Sequence, residues 1–247
     1  MAFSLEGRLA LVTGASGGIG GAVALALARA GADLVLAYSG HRDDAEGVAA
    51  AVTGLGRAAT TMQADLGAEG AGRNLAERVS EAAGPVDVLV ANAGAGHRRP
   101  WQEVDDELWA YTFAVNVTAV WQLTRALLPG MLERGFGRIL FVSSVAAFNG
   151  GVVGPHYAAS KAALHGLMHH LAPRVAGSGV TVNTIAPALI AGTRILPGDD
   201  SAGNPPIPIP VGRFGQPEEI ADMALAMLTN PYLTSKVITV DGGIYPD

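Results

Sequence analysis

Apolar residues in this chain gather into short continuous runs broken by glycines and polar residues. Seven short stretches rich in apolar and β-branched residues, at 9–13, 34–38, 60–64, 86–91, 138–142, 180–185 and 237–240, are 4 to 6 residues long and predict strands. Between them lie longer segments with helical spacing: 21–30, a helix beginning near Asp43, about 106–129, the stretch carrying Tyr157 to Leu171, and 217–228. Strands alternating with helices predict an α/β fold, a doubly wound Rossmann sheet of mostly seven parallel strands with right-handed crossovers and helices on both faces. The strand ends at Thr13, Tyr38, Asp65 and Asn92 then line one crevice.

The first strand runs straight into Gly14-Ala15-Ser16-Gly17-Gly18-Ile19-Gly20 and then an alanine-rich helix. Strand, glycine turn and helix N-terminus in that order suit a pyrophosphate, because glycines permit close backbone approach and the helix end offers free N–H groups and a positive dipole.

A second candidate constellation lies in Tyr157-Ala158-Ala159-Ser160-Lys161, where two functional side chains four residues apart share one helix face. An ammonium beside a phenol favours the phenolate and makes a better acid. The strand at 138–142 ends in Ser143-Ser144, so the Ser144 hydroxyl can converge with Tyr157 and Lys161. Asn116 sits in the apolar run Phe113-Ala114-Val115-Asn116-Val117, where an unpaired amide costs about 1–3 kcal/mol; it is either a structural tie or part of a polar relay.

Composition narrows the remaining choices. At 247 residues, 49% apolar and 15% charged, the chain fits one domain spanning 1–247, without an interdomain linker, repeat or apolar run near the roughly 18 residues of a membrane span. Residues 1–8 are short and mixed, unlike a signal peptide, which places the expected location in the cytoplasm. Zero cysteines exclude disulfides, thiolate metal sites and cysteine nucleophiles. A formal charge of −6 argues against nucleic-acid or anionic-membrane partners. The segment 196–211 is rich in Pro, Gly and Asp; it reads as a substrate lid, at about 194–212, or as a plain surface excursion.

Taken jointly, Thr13-Gly14-x3-Gly18-Ile19-Gly20, Asp65, Asn92-Ala93-Gly94, Asn116, Ser144, Tyr157-x3-Lys161, Pro187 with Thr193, and Gly212 to Ala221 resemble the short-chain dehydrogenase/reductase family over essentially the whole chain. The wording is most similar to 3-oxoacyl-(acyl-carrier-protein) reductases and related ketoreductases. The resemblance implies that Tyr157 gives a proton to the substrate oxygen as hydride arrives from nicotinamide. It implies that Ser144 holds that oxygen, that Lys161 binds the nicotinamide ribose and lowers the Tyr157 pKa, and that Asn116 holds a water linking Lys161 to solvent. Gly14, Ser16 and Ile19 would line the pyrophosphate, Asp65 and Leu66 the adenine, Asn92 the adenosine ribose side, and Ile190 with Thr193 the carboxamide, with Gly18, Ala93, Gly94 and Pro187 also against the cofactor. Ala188 departs from the family's glycine after Pro187.

NADP(H) is expected over NAD(H). An NAD-specific site wants a carboxylate at the second strand's tip, and this chain has Tyr38, Ser39, Gly40, His41 and Arg42, with no acid before Asp43. Against this, Gly17 stands where many NADP-dependent relatives carry a basic residue. The expected substrate is a small carbonyl or alcohol, free or carrier-bound, although only scattered Arg134, Arg138 and Arg174 are offered to an acidic carrier. Arg98 and Arg99 could meet an acidic substrate or simply be solvated, and His97 and His156 fall near the expected pocket without an evident partner. A homotetramer is expected from the resemblance alone. Alternatives are an NAD(P)-dependent alcohol or sugar dehydrogenase working oxidatively and a catalytically silent nucleotide sensor, the latter disfavoured by the intact Asn116, Ser144, Tyr157 and Lys161.

Overall fold

The strands form one seven-stranded sheet in the order β3-β2-β1-β4-β5-β6-β7, every pairing parallel. In this computed structural model, residues 4–195, 205 and 207–245 are described. The strands are β1 (Leu9–Thr13), β2 (Asp33–Tyr38), β3 (Ala59–Gln63), β4 (Val88–Ala91), β5 (Gly137–Val142), β6 (Val180–Pro187) and β7 (Val237–Val240). Their apolar runs alternate between the two faces. Leu11, Val35, Leu89 and Ile139 belong to one core, while Val12, Leu36, Val90 and Leu140 belong to the other. Both faces are therefore covered over the inner strands, which lack an exposed polar side; the edge strand β3 (Ala59–Gln63) keeps Thr60 and Gln63 exposed.

One layer of helices comprises α3 (Ala71–Ala83), α4 (Asp106–Phe113), α5 (Ala119–Glu133) and α7 (Pro155–Val175); Leu75, Leu123, Leu164 and Met168 seal it onto the sheet. The opposite layer comprises α1 (Gly18–Arg29), α2 (Arg42–Gly54) and α8 (Pro217–Thr229), anchored by Val23, Leu27, Val52, Ile220 and Met227. A one-turn helix, α6 (Ala146–Asn149), follows β5.

Two sequence expectations change. The first helix starts at Gly18, three residues earlier than expected, because Gly17 takes the extended N-cap conformation within the glycine run itself. The helix expected at about 106–129 is two helices joined by a π-helical turn at Ala114–Thr118, which is where Asn116 sits. Such turns insert one residue into the helical ladder, and apolar spacing does not announce them. The middle of the expected lid, 196–204 and 206, lies outside the described residues.

Because the order departs from β1 in both directions, toward β2 on one side and β4 on the other, the crevice opens above the carboxyl ends of β1 and β4. Helix crossovers diverge there and leave room for a ligand.

Candidate active site

The glycine turn is built by local necessity. Gly14 adopts φ +66°, and a Cβ on it would lie 2.9 Å from both Ala93 Cα and Asn92 Nδ2. A Cβ on Gly20 would run into the Gly14 carbonyl oxygen, so only glycine lets α1 start this close to β1. Asn92 pins the turn from the neighbouring strand: its amide Nδ2 donates to the carbonyls of Thr13, at 2.9 Å, and Gly14, at 3.2 Å. In return Thr13 Oγ1 accepts from the backbone N–H of Asn92, at 3.1 Å, and of Ala93, at 3.0 Å. Thus β1 and β4 are cross-linked at the point where the crevice opens.

From that turn one continuous cleft runs past the tips of β2 and β3 to Tyr157. Of the residues expected in it, Gly14, Ser16, Gly18, Ile19, Tyr38, Ser39, Asp65, Leu66, Asn92, Ala93, Gly94, Ser144, Tyr157, Lys161, Pro187, Ile190 and Thr193 all line it. Asn116 and Arg42 are not in the lining. Arg42 is 72% exposed and its Nε donates to Glu46 at 2.6 Å, one helical turn along α2. Arg98 and Arg99 are exposed and likewise outside the lining.

Opposite the glycine turn, Tyr157 and Lys161 project from the first turns of α7, whose start is set by Pro155 in the first turn. Both are buried. The Lys161 ammonium donates to the Val142 carbonyl at 2.8 Å and lies 5.6 Å from the Tyr157 ring centroid. Burial pushes the Lys161 ammonium down to about 8 and the Tyr157 hydroxyl up to about 12, the Ser144 hydroxyl working against the rise by hydrogen bonding. In this arrangement desolvation outweighs any attraction of the ammonium for phenolate, so the depression expected for Tyr157 is absent. Lys161 donates to the Val142 carbonyl and makes no hydrogen bond to the phenolic oxygen.

Asn116, fully buried, ties three elements together. Its Oδ1 accepts from Ala95 N at 2.7 Å, and its Nδ2 donates to Ala95 O at 2.9 Å and Ser160 Oγ at 2.9 Å. Ser160 Oγ in turn donates to the Tyr157 carbonyl at 2.8 Å, so a short polar chain connects the loop after β4 to the helix carrying the acid. A Cβ on Gly94 would lie 3.2 Å from Lys161 Nζ and 3.5 Å from Asn116 Oδ1, placing that loop directly against the ammonium.

Several residues to which the sequence assigns no partner or role prove structural to the site. Ser143 Oγ donates to the Lys161 carbonyl at 2.9 Å and meets His165 Nε2 at 2.9 Å, locking β5 to α7. The buried His156 ring finds its partner in the His97 backbone carbonyl, 3.0 Å from Nε2, and burial holds its pKa below the usual histidine range. Arg194, one residue past Thr193, lines the cleft and pairs with Asp44. A seryl neighbour, a histidine and an arginine carry no spacing signal, which is why a linear reading gives them no partner.

A glycine cradle that added side chains would fill, an α1 N-terminus and a hydroxyl-ammonium-phenol cluster at the far end of one cleft fit a nicotinamide dinucleotide. Comparison with known proteins agrees. Residues 8–201 match the short chain dehydrogenase family, and the chain belongs to it.

The chain is accordingly an NAD(P)-dependent oxidoreductase of the short-chain type. It is 37% identical to 2-dehydro-3-deoxy-D-gluconate 5-dehydrogenase of Bacillus subtilis (strain 168), the match covering 98% of this chain and 96% of the relative. It is 36% identical to a 3-oxoacyl-(acyl-carrier-protein) reductase of Vibrio cholerae, covering 98% of this chain and 99% of that one. Among solved structures, it is similar to a 3-oxoacyl-(acyl-carrier-protein) reductase from Agrobacterium tumefaciens C58 with NADP bound, with a TM-score of 0.89 at 33% identity, covering 98% of this chain and 96% of that chain.

Proposed function

We propose that the protein reduces a small carbonyl compound to the alcohol at the expense of NADPH. The observation that carries this reading is the convergence of Ser144, Tyr157 and Lys161 at one end of a cleft whose other end is the glycine turn. A bound nicotinamide would supply the hydride. The chain's part is to hold the accepting oxygen and give it a proton. Ser144 hydrogen-bonds that oxygen and fixes it in line, Tyr157 donates its phenolic proton to it, and Lys161 carries the positive charge that steadies the phenolate left behind. Burial holds Tyr157 high, and the Lys161 charge beside its ring opposes the cost of leaving a phenolate there as the proton is given up. Asn116 acts through others: it holds the loop 94–95 and the Ser160 turn of α7 so that Lys161 and Tyr157 keep their spacing.

The cofactor half rests on the absence of a carboxylate at the tip of β2 and on relatives solved with NADP or NADPH. The wall beside Tyr157 is apolar, with Ala146, Val153 and Ile195 packed on its ring, which suits a ketone carrying an apolar substituent. Exposed aromatic residues on α4 and α5, Trp109 and Trp121, offer apolar area for self-association into the expected tetramer. A second reading, oxidation of a sugar or sugar acid, is favoured by the B. subtilis relative.

A panel of ketones, 3-oxoacyl thioesters and keto-sugars assayed with NADPH and NADH, and of the matching alcohols with NADP and NAD, separates these readings. Reduction with a kcat/KM ratio for NADPH over NADH above one is expected. A ratio below one refutes the cofactor assignment, and turnover confined to alcohols with the oxidised cofactor transfers the function to the second reading.

A further inference from the structure

We infer that Arg194 is the phosphate-binding cation at the adenosine end of the cleft, and that it selects a dinucleotide bearing a 2′-phosphate. The inference rests on the NADP-preferring reading above and assigns that preference to a residue outside the β2 tip.

Among the described residues lining the cleft, Lys161 and Arg194 are the only lysine or arginine. Lys161 is committed to the Tyr157 end, buried and bonded to Val142. Arg194 lies at the opposite end. One guanidinium nitrogen, Nη1, is 3.6 Å from where a Cβ on Gly17 would stand, and the other, Nη2, is 2.5 Å from Asp44 Oδ2. The backbone leading to it is seated on the same turn, the Gly192 carbonyl oxygen being 3.0 Å from the Cβ position of Gly18. Arg194 therefore bridges the glycine turn, where a pyrophosphate docks, and the first turn of α2, just beyond the β2 tip, where an adenosine ribose docks in this topology. Because Gly17 has no side chain, the space above it belongs to the guanidinium.

Asp44 gives the arrangement its selectivity. Its pair with Arg194 is solvated, the two side chains being 45% and 57% exposed, so it is weak and easily exchanged. A phosphate dianion offers guanidinium a bidentate, charge-assisted partner and can take or share it. With Arg194 present, Asp44 is neutralised and the phosphate is admitted. With Arg194 gone, an unpaired carboxylate is left on the first turn of α2, beside the β2 tip, which disfavours a 2′-phosphate there.

The test measures binding as well as turnover. Adenosine 2′,5′-bisphosphate and 5′-AMP are titrated calorimetrically into the full chain at fixed ionic strength, followed by kcat/KM for NADPH and NADH. Arg194→Ala is expected to weaken the bisphosphate at least tenfold and leave 5′-AMP within about twofold, Arg194→Lys to fall between, and Asp44→Asn to tighten the bisphosphate. Since Arg194 is solvated, unchanged circular dichroism is expected for each variant; the Lys variant keeps the charge and stands as the second probe if the Ala variant is poorly folded. Equal weakening of both nucleotides by Arg194→Ala would assign the residue to the pyrophosphate and overturn the inference, as would no weakening of either. Loss of discrimination in Arg42→Ala but not in Arg194→Ala also overturns it. If the wild-type chain binds the two nucleotides equally, the NADP-preferring reading fails and this inference with it; if it discriminates and Arg194→Ala still does, the inference alone fails.

Discussion

Lys161 Nζ stands 5.6 Å from the centroid of the Tyr157 ring while bonded to the Val142 carbonyl, so the two groups are held as neighbours without a direct hydrogen bond between them. Neither is comfortable in its charged form: burial lowers the ammonium to about 8 and raises the phenol to about 12. Such a pair pays for its position in stability and returns it as chemistry, and both sides can be measured.

Tyr157→Phe removes the acid and leaves the glycine turn and Lys161 in place. Turnover of a confirmed carbonyl substrate should fall by about 10²–10⁴-fold, the usual worth of a positioned proton donor, while dinucleotide affinity measured by calorimetry stays within a few fold. Retention of more than a tenth of the wild-type rate would assign proton donation elsewhere.

The pH dependence of stability separates the two groups. Between about pH 8 and 10.5 the unfolded chain keeps the Lys161 proton that the folded chain has lost, so the folded state gains stability as pH rises through that window. Above pH 10 the unfolded Tyr157 ionises while the folded one does not until about 12, and stability falls again. Urea midpoints should therefore rise from pH 7.5 to about 10 in the wild type and rise less in Lys161→Met. Identical slopes in the two proteins would contradict the buried, charge-averse environment assigned to Lys161.

Asn116→Ala strands the backbone N–H and C=O of Ala95 and one partner of Ser160. Leaving buried polar groups unpaired costs about 1–3 kcal/mol each at most, so a loss of about 2–4 kcal/mol in unfolding free energy is expected, together with lower kcat. A variant as stable as wild type by chemical denaturation would reduce Asn116 to a bystander of the fold.

Gly20→Ala forces a Cβ into the Gly14 carbonyl oxygen, which is backbone and cannot rotate away. Either α1 retreats or the turn deforms, and cofactor affinity should drop at least tenfold. Gly47→Ala, on the exposed face of α2 and outside the cleft lining, also meets nothing within 4 Å and is the matched control for added bulk, expected to leave folding and cofactor affinity intact. Similar cofactor affinities for the two variants would show that the turn tolerates a side chain.

Much of this was legible in the sequence because the information is local. The glycine turn, the Tyr157/Lys161 spacing and the apolar runs each state their geometry within a few residues, and all seven strands fall within three residues of their expected bounds. What escaped is what the fold alone brings together. Arg194 and Asp44 are 150 residues apart in the chain, yet they form an ion pair at the cleft, whereas Arg42, chosen for its proximity to the β2 tip, turns outward to Glu46. Ser143 and Ser160 are indistinguishable in sequence from ordinary hydroxyls, and their roles follow from which carbonyls α7 brings near them. The environment of Tyr157 is hidden for a related reason: spacing tells that an ammonium is near, and only three dimensions tell how dry the surroundings are.

The π-helical turn at Ala114–Thr118 acts as a phase shifter between α4 and α5. Each residue of an α-helix turns the chain by about 100°, so the one residue that the wider turn absorbs rotates α5 by that angle relative to a straight continuation of α4. With the shift, Leu123, Leu127 and Met131 face the sheet while Asn116, at the shift itself, points inward at Ala95. Without it the two demands compete, and satisfying one would swing the other off target. A single residue of slack, hidden in what reads as one uninterrupted helix, lets the same segment serve as both a wall of the core and a brace for the reacting groups.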